Sequence, residues 1–182
     1  MKVVVIFGSP HKNGTTELLA DQFVNGARDA GHDVFFFRAA EETVHPCVAC
    51  GYCAAHNGAC AFHDCMDILN QKLLEADLVA FCSPLHYFSF SAQIKIVLSR
   101  FHANNARLKA RQRKAVLLAA SSIREEWAMD GLRVVYHSIL RYLGWIDAGQ
   151  VLAVGCPDQA AARKTGFPQQ AYALGRNLVV AE

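Results

Sequence analysis

Five short apolar runs constrain this chain more than any other feature: Val3–Phe7, Val34–Phe37, Leu78–Phe81, Ala115–Ala120 and Val151–Val154. None alternates apolar with polar residues, and most are β-branched or aromatic, which is the pattern of strands covered on both faces in a parallel sheet. Helical patterns lie between them. Residues 15–30 place Leu19, Phe23 and Ala27 on one stripe and end before Gly31; residues 128–143 place Leu132, Val135, Ile139 and Leu143 on another and end at Gly144. Shorter helices are expected over 65–75, 90–103 and 168–180. The alternation predicts an α/β chain with an open parallel sheet, helices on both faces and right-handed crossovers. With 182 residues, 53% of them hydrophobic and 19% charged, the chain can bury a sizeable core, and it reads as one domain over 1–182. One interruption stands out. The second crossover carries about twenty extra residues, 43–64, and they hold four of the seven cysteines.

The formal net charge of +2 is too near neutral to point to nucleic acid or to an anionic membrane as partner. The basic residues concentrate between Arg100 and Lys114, where Arg100, Arg107, Lys109, Arg111, Arg113 and Lys114 occur without an acid. This segment reads either as a solvated helix end or as a face for a partner or a phosphate-bearing ligand. No apolar stretch approaches the roughly 20 residues of a membrane helix. The run Val3–Phe7 passes straight into Gly8-Ser9-Pro10, so a signal peptide is not expected and a cytoplasmic location is. In that reducing compartment, clustered cysteines serve as metal ligands or redox groups more often than as disulfides.

After the first strand comes Gly8-Ser-Pro-His-Lys-Asn-Gly-Thr-Thr16, followed by an amphipathic helix. Free backbone N–H groups and the helix dipole make such a junction an anion site, and Ser9, Thr15 and Thr16 can add hydroxyl donors. The loop is neither a Walker A sequence nor the dinucleotide Gly-x-Gly-x-x-Gly pattern. In the flavodoxin-like strand order 2-1-3-4-5, ligands sit where the order reverses, between strands 1 and 3. The loop after strand 3, Ser83-Pro-Leu-His-Tyr-Phe-Ser89, is then expected to meet the phosphate loop. It is unusually apolar for an exposed connection, which a flat aromatic ligand, packing on the chain's own core or a second subunit would each explain. After strand 4, Ala120, Ser121 and Ser122 are small enough for a ring to approach the backbone.

Taken together, these segments resemble the flavodoxin-fold family of NADPH-dependent FMN reductases and their iron–sulfur flavoprotein relatives. The likeness rests on Val5–Thr16, the cysteine segment, Leu74–Val79 and Ser83–Lys95 with Arg100. It implies a flavodoxin-like three-layer sandwich and an FMN cofactor. The phosphate is expected on Ser9, Thr15 and Thr16, in a loop that also brings Lys12, Asn13 and Gly14 to the cofactor. The ring is expected against Pro84, Leu85, His86, Tyr87 and Phe88, with Ala120, Ser121 and Ser122 on its other side. The family more often has an aromatic residue at the place of His86 and a small one at that of Phe88, and Cys65 replaces one of a pair of acids after the last cysteine. His86, at the expected ring, is the one side chain expected to take part in the chemistry.

The spacing Cys47-x2-Cys50-x2-Cys53-x6-Cys60 resembles the motif by which iron–sulfur flavoproteins hold a [4Fe-4S] cluster. Zinc and free or redox-active thiols are the other readings. His45, His56 and His63 lie in the same loop, as solvated residues or accessory ligands, while Cys82 and Cys156 read as buried structural residues. The resemblance implies transfer of electrons from NAD(P)H through FMN to a small-molecule acceptor such as a quinone, nitroaromatic, flavin or metal ion. The alternative is an iron–sulfur flavoprotein electron carrier with a ferredoxin-like redox partner, and a third reading is a redox-sensing module with 100–114 as its partner face. The resemblance implies a second subunit over the flavin edge, and with the strongly apolar 86–90 loop a homodimer or homotetramer is expected.

Overall fold

The structure is a computed structural model and describes residues 1–179. Five parallel strands form one sheet in the order β2-β1-β3-β4-β5. In chain order the elements are β1 (Lys2–Phe7), α1 (Thr15–Asp29), β2 (Asp33–Arg38), α2 (Tyr52–Ala55), α3 (Met66–Glu75), β3 (Leu78–Pro84), α4 (Ala92–Arg100), α5 (Asn105–Lys109), β4 (Lys114–Ala120), α6 (Asp130–Leu143), β5 (Ile146–Ala153), α7 (Gln159–Ala162) and α8 (Phe167–Arg176). All five apolar runs are strands. The helix expected over 90–103 divides into α4 and a 3-10 turn at Phe101–Asn104. The helix expected over 168–180 ends at Arg176, and residue 180 lies outside the described residues.

The missing alternation in the strands has its cause in two separate cores. Val4, Ile6, Val79, Phe81, Leu117 and Ala119 face one side, packed with Met66 and Leu69 of α3, Ile94 of α4 and Leu132 of α6. Val3, Val5, Phe7, Ala80, Cys82 and Leu118 face the other, packed with Leu19 and Phe23 of α1 and Ala171 of α8. Each central strand is therefore apolar on both of its faces through its middle, and helices on both faces make three layers. Side chains at two glycines would overlap the opposing backbone, at Gly26 against Tyr172 and at Gly175 against Phe23, so α1 and α8 cross in main-chain contact.

Helix α6 corrects one expectation. Its buried stripe is Leu132, Tyr136, Leu140 and Leu143, while Val135 and Ile139 are only half-buried. Tyr136 takes the inward place because its hydroxyl reaches the edge of the core and donates to Asp147 at 3.0 Å, which satisfies its polar end. Among the described residues, no helix is long and apolar enough to cross a membrane.

Candidate functional site

The strand order reverses between β1 and β3, and the loops leaving their carboxyl ends lie side by side. The Gly8 N–H donates to the Cys82 carbonyl at 2.8 Å. A Cβ at Gly8 would overlap Ile94 and the Ser91 hydroxyl, so only glycine lets α4 approach β1 this closely. Ser91 caps α4 and donates from its hydroxyl to the Gly8 carbonyl at 2.8 Å, tying the start of α4 to the phosphate loop.

Helix α1 starts at Gly14 without a side-chain cap, so its first N–H groups and its positive dipole end remain available to an anion. Around it, Ser9, Thr15 and Thr16 are all buried. The three hydroxyls differ in their commitments. Thr15, expected to donate to the ligand, instead donates to the Cys156 carbonyl at 2.9 Å, which leaves it only its main-chain N–H for an anion. The Ser9 oxygen accepts the His11 N–H at 3.2 Å and closes the loop. Lys12 and Asn13 are exposed, and Asn13 holds a φ of 57° while donating its N–H to Glu17 at 2.6 Å. Burial alone would raise the Glu17 carboxyl, but the Asn13 N–H and the Arg38 guanidinium, 2.8 Å away, hold it below the usual range. Gln159 donates to the Gly14 carbonyl at 3.3 Å. Nothing in the sequence pattern marks Ser91, Cys156 or Gln159 as supports of this loop.

The second loop is held by its main chain. The Leu85 N–H donates to the Ala120 carbonyl at 2.8 Å, and His86 and Ser89 exchange two bonds of 3.1 Å. That pairing places Tyr87 and Phe88 at the tip of a two-residue turn with φ of 45° and 62°, a left-handed conformation that bulky residues rarely adopt. Pro84 and Leu85 are half-buried, whereas His86, Tyr87 and Phe88 are exposed, Tyr87 almost completely at 96%. Phe88 stacks on Trp127 with ring centres 5.4 Å apart. Ala120 and Ser121 are buried at the end of β4 and Ser122 is exposed; the Ser121 hydroxyl accepts the Ile123 N–H at 3.0 Å. The expected phosphate loop, aromatic loop and small-residue turn thus follow the ends of the three adjacent strands β1, β3 and β4.

The cysteine segment is built differently. Cys47 and Cys50 are exposed, Cys53 and Cys60 half-buried, and all four line one small pocket with Phe62, Arg100 and His102. Ala49, at a φ of 54°, turns its N–H to within 3.4 Å of the Cys47 sulfur. Arg100 reaches into the loop from α4. Its Nη1 donates to Asp64 at 2.7 Å and to the His45 carbonyl at 2.8 Å, and its Nη2 donates to the Phe62 carbonyl at 3.3 Å. Both charged side chains are 1% exposed. Burial pushes the Asp64 carboxyl up, but the Arg100 bond and the N–H groups of His45 and Met66 outweigh it and hold the group below the usual range. The Arg100 Nε is buried without a partner.

Arg100 and Arg113 are therefore not part of a solvated basic face. Both are buried, Arg113 donating to the carbonyls of Leu108, Arg111 and Leu74, and Arg111 pairs with Asp77. His45 stacks on Phe62, His56 stacks on Tyr52, and His63 faces Asp67. Cys82 and Cys156 are buried, and burial pushes both thiols up. Cys65 is raised as well, by its hydrogen bond to Glu42 and then by burial.

Two groups are implied by these sites. The uncapped end of α1 and the buried hydroxyl residues suit a phosphate, and the flat loop beyond β3 suits a ring. For an iron–sulfur cluster, four soft donors face one pocket beside an unpaired buried N–H, which fits in kind. The pocket measures about 20 Å³, the room of about one water molecule. A cluster would thus enter only as the exposed loop moves outward. Among the described residues, no three His, Cys, Asp or Glu side chains converge as ligands of a single metal ion.

A doubly wound sheet with an open helix end at its switch point is the architecture of flavodoxin-like proteins. The family model described as NADPH-dependent FMN reductase matches residues 1–156, and the chain belongs to that family of flavin-dependent oxidoreductases. Over 100 residues it is 34% identical to an iron–sulfur flavoprotein of Methanocaldococcus jannaschii, covering 55% of this chain and 51% of that one. An iron–sulfur flavoprotein of Archaeoglobus fulgidus is 33% identical over 100 residues, 55% of this chain and 45% of that one. The chain thus spans about half the length of the curated relatives it matches. Among solved structures, an NAD(P)H:quinone oxidoreductase from Methanothermobacter marburgensis superposes with a TM-score of 0.73 at 18% identity, over 99% of this chain and 96% of that one. An FMN-dependent NADH-azoreductase from Bacillus anthracis does so with a TM-score of 0.65 at 14% identity, over 96% and 95%. At such identities these two superpositions speak for the fold.

Proposed function

We propose that the protein is an FMN-dependent oxidoreductase that passes electrons from NAD(P)H to a small acceptor such as a quinone, nitroaromatic, flavin or metal ion. The observation that carries this reading is the uncapped N-terminus of α1 at the strand-order switch, lined by buried Ser9 and Thr16. The flavin, when bound, supplies the hydride and electron chemistry. The chain's own residues bind and orient. Main-chain N–H groups of residues 14–16 and the Thr16 hydroxyl hold the phosphate, and Ser9 and the Asn13–Glu17 bond keep the loop in shape, with Lys12 adding positive charge. Pro84, Leu85 and His86 carry one face of the ring, Tyr87 and Phe88 border it, and Ala120, Ser121 and Ser122 leave space on the other side. His86, beside the ring, can donate to a flavin heteroatom or its substrate, and is the side chain assigned a part in the chemistry.

Self-association belongs to the same proposal. A cleft of about 580 Å³ between α4 and α6, lined by Leu98, Phe101, Val134, Ile139 and Tyr142, and the exposed aromatic side chains Tyr87 and Phe88 suit a second copy in a homodimer or homotetramer. Cytoplasmic residence, a single-domain organisation over 1–182 and the absence of nucleic-acid or membrane partners complete the reading.

Anaerobic titration of purified protein with FMN, followed by addition of NADPH or NADH, tests it. Quenching of flavin fluorescence at about one FMN per chain, then rapid loss of the oxidised flavin absorbance and its return with a quinone, is expected. Failure of FMN to bind would sink the reading.

A second reading, an electron carrier between protein partners with a ferredoxin-like donor, is favoured by one observation: the four cysteines line a common pocket. It requires iron and sulfide to accompany the protein after anaerobic reconstitution.

A further inference from the structure

The guanidinium of Arg100 does more at the cysteine pocket than hold the loop. Three of its N–H groups meet Asp64 and the carbonyls of His45 and Phe62, which suffices to pin both ends of the segment 45–64. The Nε–H is left over, buried and without a partner. An orphaned buried donor is disfavoured, and native structures keep few of them. The residue lines the same pocket as Cys47, Cys50, Cys53 and Cys60, whereas Asp64 does not line it. Of that buried ion pair, the pocket is therefore lined by the positive member and not by the negative one. The Ala49 N–H already points at the Cys47 sulfur. One donor of the pocket thus meets a sulfur, and a second, the Arg100 Nε–H, is unspent on a residue that lines it.

We propose that Arg100 is a positioning and tuning residue for an iron–sulfur cluster held by these four cysteines: its Nε–H donates to a cluster sulfur and its charge sets the reduction potential. The proposal rests on the second reading above. A cluster bound by four thiolates is anionic, and one-electron reduction adds a further negative charge. A buried cation and an N–H···S bond both stabilise the reduced form more than the oxidised one, and so raise the potential. Asp64 works in the opposite direction, since its carboxylate offsets part of the guanidinium field. The arrangement therefore makes opposite forecasts for the two partners of a single ion pair, which a purely structural clamp does not.

The test is anaerobic reconstitution of the full chain with ferrous iron and sulfide, as wild type, Arg100→Lys, Arg100→Gln and Asp64→Asn. Iron and sulfide are measured per chain, and the loaded proteins are then titrated spectroelectrochemically. The midpoint potential is expected to move to more negative values in Arg100→Gln and to more positive ones in Asp64→Asn. Arg100→Lys, which keeps the charge but lacks the Nε–H, falls between wild type and Arg100→Gln. Should Arg100→Gln not fold, the opposed shifts of Arg100→Lys and Asp64→Asn decide. If wild type incorporates no iron and sulfide, the cluster reading and this proposal both fall. If wild type loads and the variants share its potential, or all move in one direction, the cluster stands and the role of Arg100 is overturned.

Discussion

The phosphate loop and the cysteine loop both follow strand ends of one sheet, yet they are fastened in opposite ways. Residues 8–16 are woven into the core by bonds from four separate places: Cys82, Ser91, Cys156 and Gln159. Each is a neutral hydrogen bond worth about 1 kcal/mol, so no single loss releases the loop. Residues 45–64 lie mostly exposed and depend on one end of α4, where Ser99 accepts the Cys47 N–H at 3.1 Å and Arg100 donates to Asp64 and to the carbonyls of His45 and Phe62. Redundant ties give a site shaped before its ligand arrives. Reliance on one charged side chain gives a loop that a single change can release.

The largest effect is expected where that single tie is broken. Arg100→Leu leaves Asp64 buried and uncompensated, and removing one partner of a buried pair destabilises by about 3–5 kcal/mol. Urea unfolding measures the loss, and limited proteolysis should find new cleavage confined to 43–64. Replacing both partners, in Arg100→Leu with Asp64→Leu, should restore a large part of it, and a double variant no better than the single one would contradict the ion-pair account. Acid supplies the same break without mutation. Asp64 is held below its ordinary carboxylate range, so its contribution is complete above about pH 4 and fades only as pH falls through its lower native value. In Arg100→Gln only the His45 and Met66 N–H groups are left to oppose burial, so the loop should open to pepsin at a higher pH than in wild type.

The contrast sharpens on the other side with Thr16→Val. If the hydroxyl binds phosphate, loss of a bond to a charged acceptor weakens FMN binding by about 1.5–3 kcal/mol, roughly 10- to 100-fold in Kd. Unfolding stability should change by less than about 1 kcal/mol, because the remaining ties of the loop do not involve this hydroxyl. Thr15→Val reverses the pattern. Its hydroxyl serves the Cys156 carbonyl, so stability falls by about 1 kcal/mol while affinity changes less. Equal effects of the two variants on FMN binding would contradict the assigned division of labour.

The difference between the loops also explains what could be seen in the sequence. The strands and the position of both loops follow from apolar runs and from the Gly-Ser…Gly-Thr-Thr junction, because burial on two faces writes itself into consecutive residues; the order of the strands came with the resemblance to flavodoxin-fold proteins. The four cysteines were legible through their spacing. The supports of the phosphate loop were not, since a carbonyl at Cys156 or an amide at Gln159 carries no compositional mark. Arg100 and Arg113 misled for the opposite reason. Six basic residues in a row of fifteen look like a solvated face, and only the fold reveals that two of them point inward and donate to main-chain carbonyls. The hydroxyl of Thr15 looked equivalent to that of Thr16, and only the return of the chain at 156 separates them.

The smallest effect concerns the turn at Tyr87-Phe88, which combines the exposure of the cysteine loop with the backbone definition of the phosphate loop. Both residues sit at positive φ, where an L side chain is disfavoured by about 1–2 kcal/mol, and glycine in place of either relieves that at the expense of about 0.5–1 kcal/mol of chain entropy. Tyr87 is almost wholly exposed, so Tyr87→Gly removes little packing and should stabilise the protein by up to about 1 kcal/mol. Phe88 stacks on Trp127 and its carbonyl lies where a side chain at Gly131 would be, so Phe88→Gly gives up contacts and should gain nothing. Thermal melts of the two variants measure the difference. If strain at the tip is kept for the sake of the flavin and its acceptor, Tyr87→Gly will be the more stable protein and the poorer reductase; a variant both more stable and equally active would leave the strained turn without a part in the site.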